Sequence, residues 1–307
     1  MSTTPDSQPH CLWRAQTELG EGPVWVPRER AVYFVDILGR RIHRWQEDGE
    51  RRSWNTPAEP GFVVPCERGG FLCGLRGGLH RFDPSTTEFE LLTEVERDQP
   101  LHRLNDGFVD GSGRLWFGTM HEDTCTPGGA LYSLERGGTL RLHDSGYIVT
   151  NGPALSPDGR TLYHSDSGRR TVYAFTHAAG VLSERRAFVT FPDGCYPDGM
   201  AVDGSGHLWI AVFNGWRIER FAPDGRKEHE VAFPCARVTK LAFGGSDLRT
   251  LFVTTAWTGL TSDQRAAQPL AGAFFSLRSP VSGLQPTEIS WDRTNVPAAA
   301  FPVHSRK

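Results

Sequence analysis

An all-β chain, folded as a single six-bladed β-propeller with four-stranded antiparallel blades, is what the sequence predicts. A hairpin unit that recurs six times, a near-constant spacing of its copies and strand-like pieces after each copy carry that prediction. The unit is clearest from Asn151, NGPALSPDGRTLYHSD: an apolar strand, a Pro-Asp-Gly turn and a second strand rich in β-formers. Proline presets φ, and Asp-Gly tolerates the left-handed positions of a tight hairpin. Related copies begin at Glu21 (EGPVWVPRERAVYFVD), Asn105 (NDGFVDGSGRLWFGTM) and Pro197 (PDGMAVDGSGHLWIAV). Two weaker copies begin at Phe62 and Val238.

The second strands of the copies start at Val32, Phe71, Leu115, Leu162, Leu208 and Leu251, at intervals of 39, 44, 47, 46 and 43 residues. Each is followed by a third strand-like piece ending at Trp45, Phe82, Leu134, Phe175, Phe221 and Leu277. A more polar fourth strand follows several of them, as in EFELLTEV from Glu88 and RKEHEVAF from Arg226. Four strands in about 45 residues is the size of a propeller blade. The GH…WD signature of WD40 repeats is missing, and no amphipathic helix of 10–15 residues separates the strands, which excludes a parallel α/β sheet. Either LWRAQTEL near the N-terminus or the C-terminal GLQPTEISW is expected to close the ring, with residues 1–10 and 303–307 frayed. The longer connections 121–129 and 256–272 are expected over one end, the second holding a short helix.

At 307 residues, length alone suggests about two domains, but a repeat shares one continuous core and overrides that prior. Nine Trp and eighteen Phe supply the filling; 34 Gly and 21 Pro are spread along the chain as turn punctuation. A net charge of -3 gives no electrostatic reason to expect nucleic acid or an anionic membrane as partner. No run approaches the roughly 20 apolar residues that span a bilayer, and MSTTPDSQPH lacks the apolar core of a secretory signal. The six cysteines have no CxxC spacing and are expected to be mostly buried free thiols, which places the protein in the reducing cytoplasm.

Residues at equivalent repeat positions converge on the axis of a propeller. Counting back from the second-strand starts puts Glu21, Asn105, Asn151 and Asp198 at 11, 10, 11 and 10 residues, one structural slot within a residue of slack. Gly follows three of them, Glu21, Asn151 and Asp198, and lets the backbone bend at the channel mouth. A single Asn-Gly or Asp-Gly is usually just a turn; four in phase are harder to explain that way. Two carboxylates brought together repel unless a cation sits among them. Glu21, Asp198 and the Asn151 carbonyl oxygen suit one divalent ion. With no His or Cys in phase, Ca²⁺, Mn²⁺, Mg²⁺ or Fe²⁺ is favoured over Zn²⁺. Arg103, two residues before Asn105 on the same strand face, is placed to bind substrate hydroxyls or a carbonyl oxygen, or else to pair with a channel carboxylate. His121, Glu122 and Asp123 follow on the same rim, and Asp106 is expected as a turn or supporting residue.

LGEGPVW, LNDGFVD, GRLWFGTM, TNGPALSPDG and YPDGM, taken in order, resemble the gluconolactonase/regucalcin family, metal-dependent six-bladed propellers that open sugar lactones. The phrases look most like bacterial aldonolactonases, including the xylonolactonase type. The resemblance covers nearly the whole chain. It implies Glu21, Asn151 and Asp198 as metal ligands, Arg103 and Asn105 as substrate contacts, and Asp123 at a rim position where some relatives carry Glu. It further implies metal-assisted hydrolysis of a glucono-, xylono-, galactono- or arabinono-lactone, with Asp198 taking the proton of the attacking water. Two other readings share the metal centre: a non-catalytic calcium-binding regulatory propeller, and an organophosphate or aryl-ester hydrolase. G-x-S-x-G is absent, so a serine esterase is disfavoured.

Overall fold

Six four-stranded antiparallel sheets stand around a common axis in the structure, a computed structural model that describes residues 8–290. In five of the sheets the strands follow chain order from the axis outward, and in the sixth the outermost strand comes from the N-terminal end of the chain. The innermost strands are Gly20–Val26, Pro60–Pro65, His102–Val109, Thr150–Leu155, Tyr196–Val202 and Val238–Gly244, and each packs against the next around a closed ring. We number the blades one to six in that order. The second strands begin at Ala31, Phe71, Leu115, Thr161, Leu208 and Thr250, within one residue of the starts expected from the repeat.

Strand alternation explains the packing: each blade presents one apolar row to either neighbour. Six clusters of buried side chains result, one in each gap between blades. Trp209, Phe243 and Phe275 fill the gap between blades five and six, and Tyr33, Phe71 and Phe82 that between one and two. The VDGSG turns of blades three and five are built alike. Asp110 accepts from Ser112 and from the Trp116 indole at 2.9 Å, and Asp203 accepts from Ser205 and from the Trp209 indole at 3.0 Å. Each buried carboxylate thereby ties a surface turn to the core.

The ring is closed by the N-terminal segment. His10–Trp13 pairs antiparallel with Phe274–Arg278, His10 opposite Ser276, and completes blade six. The described part of GLQPTEISW, residues 283–290, does something else: Gly283 bridges to Asp203 and Ile289 to Cys66, so the segment crosses one mouth of the channel. Of the residues expected to fray, 1–7 and 303–307 lie outside the described residues, and His10 is already in a strand. The helix expected in the last long connection is Ser262–Ala267, started by a capping box of Thr261 and Gln264. The cysteines are free as expected, but only Cys66, Cys73 and Cys235 are buried, while Cys125 is exposed. Among the described residues no helix is long and apolar enough to cross a membrane.

Candidate functional site

The four slot residues come together because every inner strand is interrupted at the same height. The pairing register slips between Glu21 and Val24, Leu104 and Gly107, Asn151 and Ala154, and Pro197 and Met200. A bulge there kinks the strand and re-aims a side chain toward the axis. Gly22 and Gly152 take the left-handed φ this kink requires, +54° and +76°. Asp36 and Asp166 brace the approach to two of the bulges: Asp36 accepts from the amides of Glu18 and Leu19, just before Glu21, and Asp166 from those of Ile148 and Val149, just before Asn151. In blades two and six the bulge leaves Gly61 and Thr239, so four blades supply a carboxylate or an amide and two do not; the Thr239 hydroxyl is spent on the Gly20 carbonyl.

Glu21, Arg103, Asn105, Asn151 and Asp198 are all buried, and all line one cavity of about 740 Å³ that opens at the mouth formed by the strand starts. A relay of hydrogen bonds orders them. Arg103 Nη1 donates to Asn105 Oδ1 at 2.5 Å; Asn105 Nδ2 donates to Asn151 Oδ1 at 2.8 Å and to the Thr150 carbonyl at 2.5 Å. Asn151 Nδ2 donates to Ser167 Oγ at 2.9 Å, and Ser167 Oγ donates to the carbonyl of Pro197 at 2.5 Å, one residue before Asp198. Blades three, four and five are thus locked in one arrangement at the site.

Charge is crowded on the axis. Burial, then the Asp106 charge, pushes Glu21 up to about 8, and Gly22 N–H donates to its Oε2 at 3.0 Å. Burial and the adjacent Glu21 carboxyl, within hydrogen-bonding reach, raise Asp198 well above the usual carboxylate range. Burial and Arg76 lower Arg103 to about 10, against the opposing pull of Glu21, Glu59 and Asp198. Beneath the carboxylates Asp106 is ion-paired with Lys240.

Glu21, Asp198 and the Asn151 amide oxygen fit a hard divalent cation. Two buried carboxylates in mutual contact repel when both are charged, and a cation between them removes that repulsion. Among the described residues no cluster of three His, Cys, Asp or Glu side chains forms a separate metal centre; this donor set counts an amide as its third oxygen.

The rim divides the predicted contacts. Glu122 lines the cavity and is ion-paired with Arg76 at 2.9 Å. Arg76 is also held by Glu59 at 3.0 Å, and Glu59 by Arg40 at 2.6 Å; burial works against Glu59's charge, yet the two arginines hold its pKa at about 2. Asp123 and His121 are not among the lining residues. Asp123 accepts from the amides of Cys125 and Thr126 at 2.8 and 2.9 Å and from Thr126 Oγ1 at 2.6 Å, so it builds its own loop. Both long connections reach the cavity, through Thr124 and Cys125 and through Thr258. The rest of the lining is less polar, with Leu19 and Leu38 from blade one, Val149 from blade four, and Tyr196 and Phe213 from blade five. Sequence reasoning missed Arg76, Glu59, Ser167 and Lys240. Only Lys240 carried a signal, a lysine inside the otherwise apolar inner strand VTKLAF.

Comparison with known proteins agrees with this architecture. The SMP-30/Gluconolactonase/LRE-like region matches residues 19–257. A 6-deoxy-6-sulfogluconolactonase of Pseudomonas putida is 36% identical over 277 residues, 89% of this chain and 95% of that one. The regucalcin of Danio rerio is 33% identical, over 90% of this chain and 96% of its own length. Among solved structures, a calcium-binding protein, regucalcin, from Agrobacterium tumefaciens superposes with a TM-score of 0.88 at 28% identity, covering 94% of this chain and 99% of that one. With the family region spanning most of its blades, the chain belongs to the SMP-30/gluconolactonase/LRE-like family.

Proposed function

We propose that this protein is a divalent-metal-dependent lactonase that opens an aldonolactone to the aldonic acid. The observation that carries the reading is the convergence of Glu21, Asn151 and Asp198 beside Arg103 and Asn105 in a single cavity, in a chain whose relatives include a sugar lactonase. Glu21, Asn151 and Asp198 would hold the cation, which supplies a Lewis acid for the lactone carbonyl and acidifies water at the site.

The remaining work falls to the chain. Arg103 brings a guanidinium with no carboxylate in contact among the described residues, suited to the carbonyl oxygen as negative charge builds there. Asn105, fixed by its bonds to Arg103, Thr150 and Asn151, orients the ring. Asp198 accepts the proton of the water that adds to the carbonyl carbon and returns it to the ring oxygen as the C–O bond breaks. Glu122 and Arg76 offer acceptors and donors to substrate hydroxyls on the polar wall, while Tyr196 and Phe213 face the carbon skeleton. That polar wall favours a sugar over an organophosphate or aryl ester. The regucalcin relatives keep a calcium-binding, non-catalytic role as the second reading, one that needs the cation site and makes no use of Arg103.

The test is a panel of glucono-, xylono-, galactono- and arabinono-lactones followed in a pH-stat with Ca²⁺, Mn²⁺, Mg²⁺, Fe²⁺ or Zn²⁺. Turnover of at least one lactone, abolished by Asp198→Asn in a folded protein, is the expected result. Absence of turnover with every lactone and metal, alongside intact cation binding, would favour the regulatory reading.

A further inference from the structure

Beneath the cavity the axis carries a buried ion pair. Asp106 belongs to blade three and Lys240 to blade six, on opposite sides of the ring, and both are buried. Lys240 Nζ donates to Asp106 Oδ1 and, at 3.3 Å, to the Gly107 carbonyl. The pair touches the backbone behind two of the proposed ligands. Asp106 Oδ2 accepts from the amide of Gly152, next to Asn151, at 3.0 Å. Lys240 lies against Gly199, next to Asp198, so closely that a Cβ there would stand 2.4 Å from Lys240 Cγ. Above the pair lies the polar cavity; below it lies a second cavity of about 160 Å³, lined by Val63, Val109, Met200, Phe243 and Leu284 and by Lys240 itself.

We infer that Asp106 and Lys240 form a charge-compensated floor whose two opposite charges set how tightly the site above holds a divalent cation. This rests on the metal centre proposed above. Three carboxylates, Glu21, Asp106 and Asp198, crowd the axis; the Lys240 ammonium offsets Asp106, which leaves the charges of Glu21 and Asp198 to a doubly charged ion, with the Arg103 guanidinium as a further positive charge in the cavity. A pair that only braced the strands would act through stability, with either loss loosening the site in the same direction. A charge-setting pair acts through the Coulomb field, so its two members act with opposite sign. Asp106→Asn leaves an uncompensated ammonium below the cation. Lys240→Met leaves an uncompensated carboxylate there.

Calorimetric titration with Ca²⁺ and with Mn²⁺ at one fixed pH separates these cases, with thermal unfolding of the metal-free proteins measured in parallel. Asp106→Asn is expected to weaken binding by about tenfold or more, and Lys240→Met to tighten it. The double variant, neutral for neutral, is expected to return to within about threefold of the parent. Single variants that both weaken binding, or that leave it unchanged, overturn the inference. Where Lys240→Met does not fold, the double variant decides: recovery of affinity lost in Asp106→Asn supports the floor, and no recovery overturns it. A parent protein that binds neither ion overturns the metal centre itself, a failure distinguishable from that of the floor.

Discussion

Competition between protons and the cation for Glu21 makes the site's pH dependence calculable. Burial and the charge of Asp106 raise Glu21 from its ordinary value of 4.5 to about 8, and Asp198 is raised by burial and by Glu21. A carboxyl raised on folding holds a proton that the unfolded chain has already released. In metal-free protein its contribution to stability is therefore full below about pH 4.5 and lost as pH rises through about 8. Each pH unit across that window is worth about 1.4 kcal/mol for one proton, so the metal-free Tm falls between pH 5 and 8. A cation needs the deprotonated pair, so its apparent affinity rises about tenfold per pH unit below 8 for one displaced proton. Between pH 6 and 8 that amounts to roughly a hundredfold. Calorimetry in buffers of different ionisation enthalpy reads both the affinity and the protons released. An affinity flat from pH 6 to 8, with no proton release, would refute the crowded-carboxylate account of the site.

Other perturbations follow from single contacts. Arg103→Met should lower kcat/KM by about 100-fold, read from initial rates, because the only guanidinium in the relay is removed; a change under about threefold would dismiss its role at the carbonyl. Glu122→Ala should raise KM by about tenfold with kcat nearly kept, and Asp123→Ala should act on the 121–129 loop and leave KM little changed; the reverse pattern would move the rim contact to Asp123. Asp203→Ala should destabilise by about 3 kcal/mol in denaturant unfolding, since it strands the Trp209 indole, frees the turn amides and leaves Arg220 with Glu228 alone of its two carboxylates; a loss under about 1 kcal/mol would contradict the role given to the turn. Removing residues 1–14 should lower Tm by about 5–10 °C and promote association through the bared edge at Phe274–Arg278; an unchanged Tm would show that the ring closes without that strand.

Much of the fold was legible because a propeller writes itself into period. Turn residues and apolar strands recur at blade length, so second-strand starts fell within a residue of their observed positions. Closure was ambiguous for a physical reason: both terminal segments are short and mixed in character, and only the three-dimensional edge of blade six selects His10–Trp13. Glu21, Asn105, Asn151 and Asp198 could be aligned because a slot at constant offset is a local property of each repeat. Arg76 and Glu59 lie in blade two, whose bulge carries Gly61, so phase gave no pointer to them. Asp123 and Glu122 are sequence neighbours; which one faces the cavity depends on a loop turn that Asp123 itself builds by accepting from Cys125 and Thr126. Lys240 meets Asp106 only across the ring, a pairing between residues 134 apart that no local pattern records.

In the proposed mechanism, lactone opening requires a divalent cation held by Glu21, Asn151 and Asp198. Purified protein stripped with a chelator, assayed in a pH-stat on its preferred aldonolactone and then titrated with one divalent metal, tests it directly. Hydrolysis should be lost on stripping and recover at about one equivalent of metal. Undiminished hydrolysis by protein shown to be metal-free would contradict it.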